Sequence, residues 1–503
     1  SFTFKVNDGN EDSNISTVYI TAFNKNEKHN WTHSFNGITS KTIFDDQGNS
    51  YQVGYFSTLT NFVDGTSLNA SYTPNISYSD AYIIKLNDSG ELLWSEIITG
   101  EKTQQLSNVL LDKDGNLIAR GYTEDIAIFS NGDQLGTEDA STENTFLVKF
   151  DSSSGDVLWN RDISDETVIF NSSDRCAVLS TGDILFFPSI NYVDELESEN
   201  SAYKIHKLNS SNGESTILLN NGYISVRNSV VEVDNSDNIY IGSTNNASPY
   251  DESSLIKYDS NLNVLWNATV SSNSTNSAYL SDIEYDSIND LLYVIGTAKS
   301  ADINPLGTSV ITTNNANNGG YFAAYNTEGI LQLSHGFETD INSQFSTSGT
   351  RSLEIFNNKL VFRSYFNGIV DFDVTDGIFY TPLSGVSNGY FLSIYDLTNG
   401  LNFTGHYYDR QSLLTGDILY KNDKIKTGGT TTGAYDFYDY DGSSWLEPSY
   451  AYTNIIYYNS QYGAAAGVME FLLEGENLPD NFAPISEGRS ANIWTNNTET
   501  TNI

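Results

Sequence analysis

The chain has 503 residues, of which 38% are hydrophobic and 13% aromatic, and its 24 basic and 64 acidic residues give a formal net charge of −40. A surface this negative repels nucleic acids and anionic membranes, which excludes both as partners. The sequence has no run of about eighteen apolar residues, the length that a membrane-spanning helix needs. Its single cysteine, Cys176, excludes an intrachain disulfide.

Residues 1–24 and 476–503 differ from the rest of the chain. In 1–24, apolar and polar residues alternate on both sides of the turn-forming segment NDGNED, which predicts two strands. This segment resembles the closing strands of cadherin-like and immunoglobulin-like repeats of large bacterial surface proteins, and the match is carried by Phe2, Phe4, Val6, Asp8, Gly9, Val18 and Ile20. Residues 476–503, with Ala-Pro before an expected strand, resemble the opening of such a repeat. The resemblance implies that a domain spanning 25–475 is a piece of a longer tandem array.

A repeat unit begins seven times between residues 25 and 475, each time with a β-hairpin, and a second hairpin follows in the first six units. Its first hairpin, two short strands around an Asp/Asn/Gly turn, begins at Thr42, Val109, Ala177, Val230, Ile283, Leu353 and Ile418. Its second hairpin is clearest in Asp80–Thr99, where AYIIKL and ELLWSEII flank the turn NDSG, and copies begin at Phe146, Tyr203, Leu255, Tyr321 and Tyr390. Four strands per unit without helical periodicity predict an all-β fold, a seven-bladed β-propeller with four-stranded blades. The terminal segments add short β segments from flanking domains.

Four tryptophans occupy one position of this repeat, and we interpret them as structural: Trp31, Trp94, Trp159 and Trp266. In three looser copies the same place is expected to hold Ile217, Leu333 and Phe403. The seventh unit lacks a tryptophan strand, whereas Asn30–Phe35 is a tryptophan strand without a blade of its own. We therefore predict that Trp31 completes the seventh blade and joins the two ends of the chain.

Two motifs of the first unit carry a family resemblance. The patterns DxxGNxYxxGY in Asp45–Tyr55 and DAYIIKLNxxGxLLWS in Asp80–Ser95 resemble the bacterial seven-bladed propeller repeat family of extracellular proteins. The resemblance implies a secreted or cell-surface location and no catalytic residues. We therefore expect a non-catalytic module of a large bacterial protein. It would act in adhesion, by binding a glycan or a surface protein, or as a rigid spacer between other domains of the same polypeptide.

A second resemblance supports an alternative. The segment Phe150–Trp159 looks like the tryptophan-docking motif of quinoprotein-type propellers, in which Asp, Gly and Trp tie adjacent blades together. That family usually has eight blades, and its dehydrogenases often use a vicinal cysteine pair, which Cys176 alone cannot supply. A polysaccharide-active enzyme is the other alternative. The sequence has no G-x-S-x-G, H-E-x-x-H or sialidase-type box to support it.

Acidic turns are the candidate metal sites, and calcium is the only cofactor that they suggest. Asp112 and Asp114 have the spacing that begins a calcium loop, but the remaining ligands of an EF-hand are missing. The alternative is that these residues form a tight hairpin turn through hydrogen bonds to the backbone. Other cation candidates, on charge density alone, are Asp194–Glu199 and the loop with Asp436, Asp439 and Asp441.

The long insertion of the seventh unit is the candidate ligand site. Its aromatic residues, which lie among acidic neighbours, are Tyr435, Tyr438, Tyr440 and Trp445. Tyrosine and tryptophan combine an apolar ring with a polar group, which suits contact with a glycan or a protein. The alternative is an aromatic strand packed into the last blade.

Overall fold

The structure is a computed structural model. It describes residues 2–4, 16–18, 29–35, 37–57, 60–61, 67–68, 78–137, 144–164, 175–187, 203–220, 230–245, 252–272, 278–298, 300–302, 310–312, 319–337, 344–346, 353–356, 358–367, 389–398, 401–409, 418–421, 424–431, 437–440, 445–446 and 465–472. Within these ranges, no helix is long and apolar enough to cross a membrane.

The strands follow the predicted repeat. Before the first blade lie β1 (Phe2–Phe4), β2 (Ser16–Val18) and β3 (His29–Phe35). The first blade and its insertion contain β4 (Ile38–Phe44), β5 (Ser50–Phe56), β6 (Thr60–Asn61), β7 (Ser67–Leu68), β8 (Asp80–Leu86) and β9 (Leu92–Ile98). The second contains β10 (Gln104–Leu111), β11 (Leu117–Thr123), β12 (Ala127–Ile128), β13 (Gln134–Leu135), β14 (Asn144–Phe150) and β15 (Val157–Asp162). The third contains β16 (Arg175–Val178), β17 (Ile184–Phe187), β18 (Tyr203–Leu208) and β19 (Ser215–Asn220).

The remaining units have the same order of elements. The fourth blade contains β20 (Val230–Val233), β21 (Ile239–Asn245), β22 (Glu252–Tyr258) and β23 (Val264–Ser272). The fifth unit contains β24 (Ala278–Asp286), β25 (Leu291–Ala298), β26 (Ser300–Asp302), β27 (Val310–Thr312), β28 (Gly319–Asn326) and β29 (Leu331–Gly336). The sixth contains β30 (Gln344–Ser346), β31 (Leu353–Phe356), β32 (Lys359–Asn367), β33 (Gly389–Asp396) and β34 (Asn402–Asp409). The seventh contains β35 (Ile418–Lys421), β36 (Lys424–Thr431), β37 (Phe437–Tyr440), β38 (Trp445–Leu446) and β39 (Ala465–Leu472).

Seven antiparallel sheets of four core strands confirm the predicted all-β propeller. In the first blade the order is β4-β5-β8-β9, and the second to sixth blades repeat it in chain order. The third strands of the first two blades, Asp80–Leu86 and Asn144–Phe150, are buried along their whole length, which explains their nearly continuous apolar sequence. Asp80–Thr99 is accordingly the outer half of the first blade.

The seventh blade joins the two ends of the ring. Its strand order is β35-β36-β39-β3, so the tryptophan strand near the start of the chain forms its outer edge. Trp31 lies opposite Glu470 in this pairing. Strand β36 contacts β4 of the first blade, and β35 contacts β31 of the sixth. The ring is thus closed by strand pairing, as the sequence predicts.

Two short strands lie outside the ring. Strands β1 and β2 pair antiparallel, with Phe2 opposite Val18, as expected for two strands around a turn. Residues 476–503 lie outside the described residues, and the assignment of both flanks to neighbouring repeats stays a prediction.

Because consecutive strands of each blade run in opposite directions, their connections lie on two different faces of the ring. Turns such as 45–49 and 87–91 join the first to the second strand and the third to the fourth, and together they form what we call the turn face. Connections between the second and third strands, and from blade to blade, form the opposite loop face. Short turns therefore lie on one side of the ring, and long connections on the other.

Apolar side chains fill the space between blades. Buried clusters join consecutive blades from the first to the sixth, with representative pairs Val53 and Phe146, Ile118 and Phe186, Leu185 and Ile241, Tyr240 and Leu280, and Tyr293 and Phe362. Complete burial of one such side chain stabilises the folded state by about 1.5–3 kcal/mol. The core is therefore a set of interfaces between neighbouring blades.

Candidate functional site

The most regular polar feature of the structure is a contact between blades, which we call the inter-blade dock. In the second blade, Lys149 on β14 and Trp159 on β15 lie opposite each other. The Lys149 ammonium donates to the backbone oxygen of Ser210 in the third blade at 2.9 Å, and the Trp159 indole N–H donates to the same oxygen at 3.0 Å. Both side chains are at most 5% exposed. The dock thus joins two blades through one carbonyl group.

The same arrangement occurs at two other seams. Lys85 and Trp94 of the first blade donate to the backbone oxygen of Ser152 in the second, at 2.9 and 3.1 Å. Lys257 and Trp266 of the fourth blade donate to the backbone oxygen of Thr327 in the fifth, at 2.9 and 3.1 Å. The structure therefore places three of the four predicted tryptophans in docks. The side chain of the fourth, Trp31, lies outside the described part of the chain.

Each dock requires a glycine in the neighbouring turn. The φ angles are 84° at Gly155, 70° at Gly213 and 81° at Gly329. These values lie in the left-handed region, which is unfavourable for residues that have a Cβ atom. A Cβ at Gly213 would lie 2.8 Å from the Trp159 ring, and one at Gly155 would lie 2.9 Å from the Trp94 ring. The indole ring therefore packs directly on the backbone of the next blade.

A β-bulge aims each tryptophan into its seam. In the second blade Phe150 pairs with Val157 and Lys149 with Trp159, so Leu158 is left without a partner in the ladder. Such a bulge redirects the side chains that follow it. The three bulged leucines, which point outward and are 53%, 48% and 52% exposed, are Leu93, Leu158 and Leu265. Their exposure on the rim thus follows from the orientation of the tryptophans.

The candidate metal ligand Asp112 takes part in a dock. Its carboxylate accepts backbone N–H groups of Asp114 and Asn116, both at 2.9 Å, and lies 2.6 Å from the Lys149 ammonium. Asp234 has the same place in the fourth blade, 3.4 Å from the Lys257 ammonium. Burial opposes ionisation of Asp234, but hydrogen bonds from Asn238, Ser236 and Tyr240 lower its pKa. These carboxylates form turns and neutralise the buried lysines.

The other metal candidates are not brought together in the described part of the chain. Asp114 is exposed in its turn, and Asp439 lies on β37. Asp436, Asp441 and Asp194–Glu199 lie outside the described residues. Among those that are described, the structure has no group of three metal-ligating side chains. Calcium binding stays a prediction.

The third blade departs from the pattern. Its outer pair has no bulge, so Thr216 faces Lys207 and Ile217 faces His206. The expectation that Ile217 takes the tryptophan position is therefore wrong. The seam to the fourth blade is instead joined at its inner turns. There, Ser180 donates to the Asp237 carboxylate through its backbone N–H and its hydroxyl, both at 2.6 Å.

Hairpins of the loop face form a second kind of contact between blades, which we call braces. In the second blade, Ile128 on β12 exchanges backbone hydrogen bonds of 2.8 and 3.1 Å with Thr99, at the end of the outer strand of the first. In the fifth unit, β26 pairs with the outer strand β23 of the fourth blade, with Asp302 opposite Ser271. Each brace lies in the connection between the second and third strands of one blade and pairs with the outer strand of the preceding blade.

The aromatic insertion of the seventh unit forms the third brace. Strand β37 pairs with β34 of the sixth blade, with Tyr438 opposite Tyr408, and β38 pairs with β37, with Trp445 opposite Tyr440. Tyr435 lies outside the described residues. The strand thus adds to the outer edge of the sixth blade, whereas the sequence-based alternative placed it in the seventh.

Sequence reasoning missed the lysine of the dock and the braces. The lysine stands nine or ten residues before each tryptophan, at positions 85, 149 and 257, and this recurring spacing is the signal that the sequence offers. The braces leave a weaker signal, because their strands have only two to four residues, as in Ala127–Ile128 and Phe437–Tyr440.

Comparisons with known proteins concern the fold. No family model and no curated protein matches the chain. Among solved structures, the quinohemoprotein alcohol dehydrogenase ADHIIG from Pseudomonas putida HK5 is 10% identical, over 91% of this chain and 78% of that chain, with a TM-score of 0.37. The polysaccharide lyase Uly1 is 11% identical, over 89% of this chain and 100% of that chain, with a TM-score of 0.41. A DUF4221 family member from Bacteroides vulgatus is 9% identical, over 67% and 93%, with a TM-score of 0.31.

Proposed function

We propose that the chain is a non-catalytic propeller module of a large extracellular or cell-surface bacterial protein, and that it presents its loop face to a glycan or a surface protein. The observation that carries the proposal is where the chain enters and leaves the ring. His29, at the start of β3, lies opposite Phe471, near the end of β39. The chain therefore enters and leaves the ring at the same end of one blade.

This end of the seventh blade belongs to the turn face. In the first blade, the corresponding place is the short turn 87–91 between the third and fourth strands. Segments that connect the ring to further domains would therefore leave from the turn face. The loop face lies on the opposite side of the ring and stays free for a ligand, and such variable connections on a rigid scaffold are where binding sites commonly occur.

The loop face also has the variation that a ligand site needs. The connection between second and third strands extends from Asn245 to Glu252 in the fourth blade but from Thr431 to Ala465 in the seventh. The longer connection contains the aromatic candidates Tyr438, Tyr440 and Trp445. A spacer needs no such variation, and a spacer that holds domains apart would be expected to have its two ends far from each other.

Binding to defined ligands tests the proposal. The purified chain would be applied to a glycan array and to a panel of purified surface proteins. We expect retention of a ligand, and loss of that retention in the variant Tyr440→Ser/Trp445→Ser. Lys113→Ala is the matched control, because Lys113 is exposed on the turn face and donates to the backbone oxygen of Ser180 at 3.0 Å. Melting curves of both variants would show that the fold is intact.

Three outcomes would contradict the proposal. Absence of binding on both panels would support the spacer alternative. Equal binding by the variant Tyr440→Ser/Trp445→Ser and the wild type would show that the aromatic insertion does not form the ligand site. Turnover of a polysaccharide substrate would support the alternative of a glycan-active enzyme.

A further inference from the structure

The first blade has buried polar side chains on the face that meets the seventh blade. Thr42 on β4 and Gln52 on β5 are cross-strand partners, and Ser50 lies two residues before Gln52, on the same face of the strand. The alternate residues of β5, Tyr51 and Val53, pack into the core shared with the second blade. Ser50 and Gln52 therefore face the other way, toward the seventh blade, whose strand β36 contacts β4.

These polar groups are enclosed but not hydrogen-bonded. Thr42 and Gln52 are 0% exposed, and Ser50 is 1% exposed. The Thr42 hydroxyl, the Ser50 hydroxyl and both polar atoms of the Gln52 amide have no hydrogen-bond partner in the structure as described. A buried polar group without a partner is unfavourable, and such groups are usually satisfied by ordered water when protein atoms do not reach them.

The same position is apolar in the other blades whose side chains are described. The pair that faces the preceding blade is Val109 and Ala119 in the second blade, Cys176 and Phe186 in the third, Val231 and Ile241 in the fourth, Ile283 and Val294 in the fifth, and Leu353 and Phe362 in the sixth. Members of each pair belong to the apolar cluster with the preceding blade. The polar pair thus occurs at the seam between the first blade and the seventh, the blade that is completed by the pairing of β3 with β39.

We propose that the seam between the first and seventh blades contains ordered water, bound by Thr42, Ser50 and Gln52, and that this hydrated seam is where the ring opens first. A buried water needs two to four polar partners, and two hydroxyls and one amide supply both donors and acceptors. Removing the bound water leaves those groups without partners, whereas opening the seam hydrates them. The seam therefore resists opening less than the seams that have an apolar pair at this position.

A double substitution tests for the water directly. The variant Thr42→Val/Gln52→Ile gives this seam the same pair of residues as Val231 and Ile241 in the fourth blade. Nuclear magnetic relaxation dispersion of the water signal measures long-lived internal water. We expect the variant to have a smaller dispersion amplitude than the wild type, and a Tm higher by about 2 °C. An unchanged amplitude would overturn the proposal, and so would a fall in Tm, because it would mean that protein groups satisfy these side chains.

Controls separate this effect from a general loss of folding. Val231→Thr/Ile241→Gln introduces the polar pair at the equivalent apolar position of the fourth blade, and we expect a lower Tm. Ser50→Ala removes one water ligand with a small change in volume, and we expect an intermediate dispersion amplitude. An amplitude equal to that of the wild type in this single variant would exclude Ser50 from the site.

Hydrogen exchange of the unmodified protein tests the second half of the proposal. We expect amide protons of β3, β4 and β36 to exchange faster than those of β10 and β11, and the variant Thr42→Val/Gln52→Ile to slow exchange at the seam several-fold. Equal exchange at both places in the wild type would show that the ring has no preferred opening at this seam.

Discussion

Lys149 and Trp159 face each other across the outer pair of strands in the second blade and donate to one acceptor, the backbone oxygen of Ser210 in the third blade. A carbonyl oxygen has two lone pairs, so it can accept both hydrogen bonds. The lysine supplies a charge-assisted bond, and the indole supplies apolar area. Because the outer pair of the third blade has no bulge and its described side chains form no dock, the seams of the ring differ in the interactions that stabilise them.

Substitution of a docked tryptophan should destabilise the ring. We expect Trp159→Leu to lower the free energy of unfolding by about 2–4 kcal/mol, because it removes the hydrogen bond to Ser210 and leaves a cavity beside Gly213. Urea unfolding would measure the change. The matched control is Leu158→Ala, at the neighbouring bulged residue that is 48% exposed, for which we expect less than about 0.5 kcal/mol. Equal effects of the two variants would contradict the role given to the dock.

Replacing the glycine under the indole ring should destabilise the protein more than replacing a glycine with open space around it. In Gly213→Ala the new Cβ would lie 2.8 Å from Trp159, in addition to the strain of a positive φ. Gly115 has a similar φ of 77° but no atom within 4 Å of its Cβ position. We expect Gly115→Ala to cost about 1 kcal/mol and Gly213→Ala about 1–3 kcal/mol more. Thermal unfolding of both variants would measure the difference, and a difference near zero would mean that the ring does not pack on this turn.

Deletion of the closing strand should weaken the whole ring. Removing residues 30–35 takes away most of β3, which pairs with β39 in the seventh blade. Strand β39 then loses its partner at the outer edge of that blade, together with the backbone hydrogen bonds of the ladder. We expect a clear fall in Tm by differential scanning calorimetry. A melting curve like that of the intact chain would mean that β3 does not close the ring.

Buried tyrosines predict a loss of stability at high pH. Burial raises the pKa of Tyr293 to about 12, and it also raises the pKa values of Tyr51, Tyr82, Tyr240 and Tyr321. In the unfolded chain, tyrosine loses its proton near pH 10. Between about pH 10 and 12 the unfolded state thus holds fewer protons than the folded state, so stability is complete below about pH 10 and falls as the pH rises. Tm and tyrosinate absorbance should change together, and Tyr293→Phe should reduce the slope.

Aspartates contribute to the dependence of stability on pH under acidic conditions. Although burial opposes it, hydrogen bonds from Lys359 and Thr398 lower the pKa of Asp396 to about 2. The contribution of this group to stability is therefore present above about pH 4 and is lost as the pH falls toward 2. We expect Asp396→Asn to flatten the dependence of Tm on pH in this range. If Tm depends on pH in the same way in the variant and the wild type, other groups determine the loss of stability at low pH.

The sequence predicts the strands and their order because each blade repeats a local pattern. Alternation around NDSG defines the hairpin of Asp80–Thr99 without reference to the rest of the chain, and the missing tryptophan strand of the seventh unit points to Trp31. The contacts between blades are less accessible from sequence. Pairing of Asp439 with Tyr407, for example, depends on how far a connection reaches across a seam, which no local pattern encodes. The polarity of Gln52 becomes informative only when its partner blade is known.

The pairing of His29 with Phe471 has a mechanical consequence. Tension applied through the segments on either side of the ring would act on β3 and β39 at the same end of their ladder. The hydrogen bonds would then break one after another, from His29 toward Phe35, and would not share the load. A ring attached in this way would come apart at low force, starting with its seventh blade, while the docked seams between the first, second and third blades carried little of the load.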